Sequence, residues 1–336
     1  MVAHEDLAKT SIIITNFKNS NLLTKCLETI FKSNYPSSKF EVIVVDCLTP
    51  EEELKAIENN FPEIKIVHFD SDIGASASHN VGAKYSSKDS EYLVFLDNDV
   101  LLDPLCLNEL VNAINSYKIG AVQARIYNLD ETLQYIACFI DELGFIHVIS
   151  DENKLMKVLA EGWTINGLGS TCCCVRKKLY FKIKGFDPIF WVYHDDQDLG
   201  LRIVSAGFDI GIAVGAIAYH IGGATIESKR GLFFATRNKY IIIFKNYPAF
   251  CFLRAFSCQL IYDTKNIFSY FRKGKIYSAL TVSSALLWVI KNLKLLYCMR
   301  KENKSTIQNI KLNKRSPKIL FQKLLGLLWK SVFAKQ

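Results

Sequence analysis

None of the ten cysteines stands in a CxxC pair, and no Cys or His spacing suits a structural zinc site. Three are consecutive, Cys172 to Cys174, a run that no regular disulfide framework uses. Free thiols in a reducing compartment are expected. The first residues, MVAHEDLAKT, lack the apolar core of an export signal, so a cytoplasmic location is expected. No uncharged run reaches the roughly twenty residues that cross a bilayer as a helix. The longest of the last third, Ile276 to Ile290, falls short of that. The fingerprint GxGxxG is missing after the first apolar run, which disfavours a dinucleotide dehydrogenase. Acids are scarce in the last third: from Gly231 onward only Asp263 and Glu302 oppose about twenty Lys and Arg. The net charge of +8 therefore averages an acidic body and a basic, apolar tail.

What is present is an alternation of strand-like and helix-like patterns. Half of the residues are hydrophobic, enough for a sizeable core. Ser11–Thr15, Glu41–Asp46, Ile64–Phe69 and Tyr92–Leu96 are short apolar runs of the kind buried on both faces of a parallel sheet. A stripe of Leu23, Leu27, Ile30 and Phe31 behind Ser20 predicts the first helix. Others are expected near Pro50, after Gly74 and at Pro104. This order predicts right-handed βαβ units and a mostly parallel sheet. After Gly120, Ala121–Tyr127, Leu133–Ile140 and Phe145–Ile149 read as strands, the last two joined by a turn at Asp141–Gly144. A glycine-punctuated loop, Gly162–Gly169, then runs into the apolar CCCV. The composition divides the chain into a domain over 1–230 and a helical region over 231–336.

Polar residues gather where the strands end. Asn16 follows the first, Asp46 ends the second, and Asp97-Asn98-Asp99 ends the fourth. Ligands of open α/β sheets bind beyond the carboxyl ends of the strands. Two hard oxygen ligands at such a place suit Mg²⁺ or Mn²⁺, which binds phosphate oxygens in turn. The alternative is a plain loop before a helix that starts at Asp103-Pro104. Asp195, Asp196 and Asp198 open another helix, with Leu199, Leu201, Ile203 and Val204 at its apolar positions. By themselves they are equally the first-turn acids that a helix dipole favours. His220, after a strand at Ile210–Val214, is by itself either structural or a ligand.

Taken together, these pieces resemble glycosyltransferase family 2, inverting enzymes of the GT-A fold that use nucleotide-diphospho-sugars. The resemblance runs from about Ser11 to about Tyr247 and leans toward rhamnosyltransferase-like, cell-surface glycan members. SIIITNFKN resembles the first strand and turn, with Thr15-Asn16-Phe17 at the donor and no proline. EVIVVD resembles the second strand, which implies that Asp46 contacts the base or ribose. DIGASASHNVG resembles the N-x-G…R-N-x-G stretch and implies donor contacts from Asp72, Gly74, His79 and Asn80. LDND resembles the DxD motif, which implies metal ligation by Asp97 and Asp99, with Asp97 and Asn98 beside the donor. His220 sits where several members place a third ligand. HDDQDL resembles the motif usually written E-D-x-D-L, with Asp195 in place of Glu. It implies Asp196 as general base, with Asp195 the alternative and Asp198 orienting the helix start or Arg202. Trp163, Gly167 and Trp191 are the acceptor-side candidates. Either tryptophan stacks on a sugar or packs internally.

The resemblance thus implies a Rossmann-like, mostly parallel GT-A sheet, a smaller mixed sheet on the acceptor side and a helical C-terminal extension. It also implies a divalent cation, Mn²⁺ or Mg²⁺. A sugar would pass from a nucleotide-diphospho-sugar to a hydroxyl of a lipid-linked or cell-surface glycan. Lys273, Lys275, Lys291 and Lys294 border the longest uncharged run of the tail, as in a helix lying in an anionic membrane interface at the inner face of the cell membrane. A soluble helical lobe is the alternative. Nucleic acid is disfavoured as a partner by the acidic body and the apolar tail. Two other functions compete: a polyprenyl-phosphate glycosyl synthase, and an inactive nucleotide-sugar-binding scaffold. The intact acids argue against the second.

Overall fold

The computed structural model describes residues 7–222, 229–310 and 312–314. By compactness the chain falls into two units. The first comprises Met1–Cys138, Val148–Trp191 and Asp195–Gly223; the second comprises Phe139–His147, Val192–His194 and Ala224–Gln336.

The first unit is built on a nine-stranded sheet. Its strands are β1 (Thr10–Phe17), β2 (Phe40–Cys47), β3 (Lys65–Phe69), β4 (Tyr92–Asp97), β5 (Val100–Leu102), β6 (Ile119–Tyr127), β7 (Leu133–Tyr135), β10 (Cys172–Arg176) and β11 (Asp209–His220). A hairpin of β8 (Ala137–Ile140) and β9 (Ile146–Ile149) forms a separate two-stranded sheet. The order is β3-β2-β1-β4-β10-β6-β11-β5, with β7 beside β6. β3, β2, β1 and β4 run parallel, as expected for βαβ units. β10 lies antiparallel between β4 and β6, at the centre of the sheet.

Alternation along the strands explains the packing. Ile12, Ile14, Val94, Leu96, Cys172 and Cys174 enter one core cluster; Ile13, Leu93, Phe95, Cys173 and Val175 enter the other. Successive strand residues point to opposite faces, and here both faces are covered. This accounts for the triple cysteine: three small apolar side chains on a central strand, all free thiols. Helices α1 (Ser20–Phe31), α2 (Glu51–Asn60) and α4 (Cys106–Ile114) feed the first cluster. Helices α3 (Ala75–Tyr85), α6 (Lys177–Lys182) and α7 (Asp195–Ser205) feed the second. A further helix, α5 (Glu152–Ala160), was not signalled by sequence pattern.

Two strand expectations are corrected. The run Leu133–Ile140 is broken at Ile136 into β7 and β8, which join different sheets. The strand expected at Ile210–Val214 continues to His220.

The second unit is helical: α8 (Lys229–Asn246), α9 (Ala249–Arg272), α10 (Ile276–Lys291), α11 (Leu293–Glu302) and α12 (Lys304–Asn309). α8 is its hub, with Tyr240 to Tyr247 all buried. Asp263 of α9, almost fully buried, accepts from Lys239 Nζ and Tyr240 Oη, both at 2.8 Å. α9 and α10 leave Phe250, Leu253, Phe268, Tyr277, Leu287 and Ile290 largely exposed. Among the described residues no single helix is long and apolar enough to cross a membrane. α10 and α11, bent by 64°, reach that length and composition only as a pair.

Candidate functional site

Asp97, Asn98 and Asp99 form the turn from β4 into β5. The alternative of a plain helix start is met elsewhere, where the Asp103 carboxylate accepts the Leu105 N–H at 2.9 Å. β5 runs antiparallel to β11 and sets His220 opposite Val100; the Ile221 N–H donates to the Asp99 carbonyl at 2.9 Å. Ligand atoms of Asp97, Asp99 and His220 consequently lie within 4.8 Å of one another, with His220 Nε2 3.2 Å from Asp99 Oδ2. Burial and the neighbouring Asp99 charge push the Asp97 carboxyl up to about 7. Burial opposes a charge on His220, but the Asp99 hydrogen bond and both carboxylates outweigh it and raise its pKa. Two crowded carboxylates and one imidazole are a donor set that fits a divalent cation, whose charge relieves their repulsion.

The second acid pair opens α7. Its seat is a close approach between that helix and the 166–168 loop. A Cβ on Gly200 would stand 2.7 Å from Leu168 N, and one on Gly167 would stand 2.3 Å from Gln197 Oε1. At Gly200, where the neighbour is backbone, only hydrogen fits. Gln197 Nε2 donates to the Leu168 carbonyl at 2.9 Å. The buried Asp198 accepts from Arg202 Nε at 2.8 Å, as expected for a residue that orients Arg202. Asp195 Oδ2 accepts from Ser76 Oγ at 2.8 Å. Asp196 accepts from its own helix, at Gln197 N (2.8 Å), and from Ser170 N (3.3 Å). Burial pushes Asp195 up to about 6 and Asp196 up to about 8, the latter also through the charge of Asp195.

The two pairs are tied through adjacent residues leading into β10. Ser170 donates its N–H to Asp196, and Thr171 accepts the Asp97 N–H at 3.2 Å. The charge of Asp97 raises Asp196, and that of Asp195 raises Asp97, so the pairs sense one another.

The expected donor residues divide. Thr15 lies in register with Asp97, and Phe17 is half exposed. Asn98 Nδ2 donates to Asn16 Oδ1, and Asn16 Nδ2 donates to Asp46 Oδ1 at 2.6 Å. Asp46 does not reach the surface as expected. It is wholly buried and bonded to Asn16, to Thr49 Oγ1 (2.6 Å) and to His68 Nδ1 (2.7 Å). His68, near the end of β3, is the partly exposed partner of this buried carboxylate, and its pKa is raised chiefly by the Asp46 hydrogen bond. Sequence alone gave no sign of His68 beyond its place in that strand.

His79 is likewise corrected to the interior. It is 2% exposed, stacked on Phe186 at 4.5 Å and edge-on to Phe95 at 5.3 Å. Neither ring nitrogen has a hydrogen-bond partner, and burial lowers its pKa to about 3. Asn80 is committed to structure: it donates to the Phe186 carbonyl (2.8 Å) and accepts from Tyr180 Oη (2.7 Å) and Phe186 N (3.0 Å). Asp72 accepts the Gly74 N–H at 2.9 Å. Gly74, at φ 81°, caps α3 against Trp191, where a Cβ would lie 2.8 Å from the indole. The Trp191 carbonyl accepts from Ser76 N at 3.2 Å, which places this tryptophan beside the residue that holds Asp195. Trp163 closes α5, its N–H donating to Val158 O at 3.1 Å.

A family model described as glycosyltransferase like family 2 matches residues 8–239. The chain is 29% identical over 212 residues to the O-antigen biosynthesis protein RfbC of Myxococcus xanthus, covering 60% of this chain and 16% of that protein. It is 24% identical over 114 residues to the poly(ribitol-phosphate) beta-N-acetylglucosaminyltransferase TarS of Staphylococcus aureus, covering 33% of this chain and 20% of TarS. The chain thus spans a fifth or less of both relatives. Among solved structures, a mannosyltransferase of Pyrobaculum calidifontis in complex with GDP-Man and Mn²⁺ matches with a TM-score of 0.57 and 14% identity, over 97% of this chain and 89% of that one. Residues 1–349 of S. aureus TarS in complex with UDP match with a TM-score of 0.51 and 16% identity, over 70% of this chain and 65% of that one. These likenesses show the GT-A fold.

Proposed function

Because the chain belongs to the glycosyltransferase-like family 2, we propose that it transfers a sugar, with inversion, from a nucleotide-diphospho-sugar to a hydroxyl of a lipid-linked or cell-surface glycan. The observation that carries this reading is the tie of both acid pairs to the adjacent residues Ser170 and Thr171. Asp97, Asp99 and His220 would hold Mn²⁺ or Mg²⁺, which when bound neutralises charge on the departing diphosphate. Asp196 takes the proton of the acceptor hydroxyl as that oxygen attacks the anomeric carbon. The bond from that carbon to the diphosphate breaks, and the diphosphate leaves with its electron pair. A carboxylate whose pKa is raised toward neutrality is the stronger base for this step. Ser76 holds Asp195 and thereby keeps the second acid charged against its neighbour. Thr15, Asn16 and Asn98 line the donor side.

The second unit supports a place at the inner face of the cell membrane. Its exposed Phe, Leu, Ile and Tyr side chains on α9 and α10 are bordered by Lys273, Lys275, Lys291 and Lys294, a pattern suited to an interface of anionic headgroups. The test has two arms. Purified protein with a panel of nucleotide-diphospho-sugars and Mn²⁺ should release nucleoside diphosphate, and a chelator should stop it. Release from none of them, or release unaffected by chelator, overturns the enzymatic reading. In parallel, the protein should sediment with anionic vesicles at low salt and less so at high salt. Failure to sediment at low salt removes the membrane part alone.

A further inference from the structure

Gln134 stands at a break in the ladder between β6 and β7. Ile126 pairs with Tyr135 and Tyr127 pairs with Leu133, so one step along β6 spans two along β7. Gln134 is the residue left over, a β-bulge, and bulges re-aim side chains beside functional sites. Its Oε1 lies 2.9 Å from Nδ1 of His220, while His220 Nε2 faces Asp99 Oδ2 at 3.2 Å. The same stretch of β6 explains the juxtaposition: Tyr127 pairs with Leu133 on one side and with Tyr219 on the other. Strand pairing fixes the backbone of His220 but not the rotation or tautomer of its ring. An amide oxygen only accepts, so Nδ1 carries a proton in this pairing; Nε2 shares its own proton with the Asp99 carboxylate, and a cation bound there would take that proton's place on the Nε2 lone pair.

We propose that Gln134 is a positioning residue for the metal centre: the bulge aims its amide oxygen at His220 Nδ1, which turns His220 Nε2 toward Asp97 and Asp99 as a cation ligand. This rests on the reading of Asp97, Asp99 and His220 as a divalent-cation site. Partners behind metal-bound histidines fix the tautomer and typically govern affinity by about 10- to 100-fold.

The test uses the full chain and Mn²⁺ alone, with free Mn²⁺ followed by electron paramagnetic resonance. Gln134→Met, similar in length but unable to accept the proton, should bind Mn²⁺ about 10- to 100-fold more weakly. Gln134→Glu, which still accepts it, should bind at least as well as the natural chain. A role in packing alone predicts the reverse order. In protein labelled with ¹⁵N-histidine and loaded with diamagnetic Mg²⁺, His220 should carry its one remaining proton on Nδ1. A proton on Nε2, or undiminished affinity in Gln134→Met, overturns the proposal. Asp99→Ala separates the two levels. If it leaves Mn²⁺ binding intact, the cation site itself is wrong; if it abolishes binding while Gln134→Met does not weaken it, only the role of Gln134 fails. Should Gln134→Met not fold, the affinity of Gln134→Glu and the tautomer in the natural chain decide.

Discussion

Two pairs of acids are held by the same short segment, yet their surroundings differ in kind. Asp97 and Asp99 face an imidazole that is drawn toward its charged form. Asp195 and Asp196 face a serine hydroxyl, backbone N–H groups and each other. Burial works against the charge of Asp97, Asp195 and Asp196 alike, but only the first pair has a third metal-ligating side chain within reach among the described residues. Under the proposed function this difference divides their tasks. A crowded pair with an imidazole beside it suits a cation, whereas a crowded pair without one suits holding or taking a proton.

The contrast is broken most severely at Asp99. Asp99→Ala should abolish turnover and the Mn²⁺-dependent stabilisation by nucleoside diphosphate, measured by melting temperature with and without chelator. Unchanged metal dependence in that variant would contradict the assignment. His220→Ala should weaken Mn²⁺ binding less, because two carboxylates remain.

A smaller effect sharpens the other half. The base must be ionised to accept a proton, so activity should rise with pH as the Asp195–Asp196 pair loses its proton, across about 6 to about 8. The charge of Asp195 raises Asp196, so Asp195→Asn should move this rise to lower pH. A pH profile that does not move would uncouple the two.

Stability offers a still finer distinction between groups buried to react and groups buried to pack. Asp196 has a raised pKa when folded, so its ionisation lowers stability increasingly as pH climbs from the ordinary aspartate value toward about 8. In metal-free buffer at alkaline pH, Asp196→Asn should therefore melt above the natural chain. His79 has the opposite sign. Its pKa falls from 6.5 to about 3 on burial, so its contribution is complete above pH 6.5 and is lost as pH drops below it. The loss approaches about 1.4 kcal/mol per pH unit for the one proton involved. His79→Phe, which keeps a ring against Phe186, should flatten that acid limb in a urea titration repeated from pH 7 to pH 5.

Much of the first unit was legible because its strands are buried on both faces. Runs such as Ile12–Ile14 and Val42–Val45 can hardly lie anywhere but a sheet interior. The Asp97-Asn98-Asp99 turn was legible for the same reason, as a polar stop at the end of such a run. β10 was not, since three cysteines carry no strand signature until neighbours on both sides are known. The interior places of Asp46 and His79 were hidden because they depend on His68 and on Phe186, contacts set by tertiary packing. Gln134 was hidden most deeply: its role hangs on a one-residue slip in register between β6 and β7.

The division of labour between the acid pairs is tested most directly at Asp196. Asp196→Asn is nearly isosteric and leaves Asp97, Asp99 and His220 in place. Mn²⁺ affinity, nucleotide-sugar affinity and the rate of sugar transfer should be measured on one preparation of this variant. The account predicts both affinities near those of the natural chain and transfer slower by about two to four orders of magnitude. Near-normal transfer, or a loss of Mn²⁺ affinity comparable to that of Asp99→Ala, would contradict it.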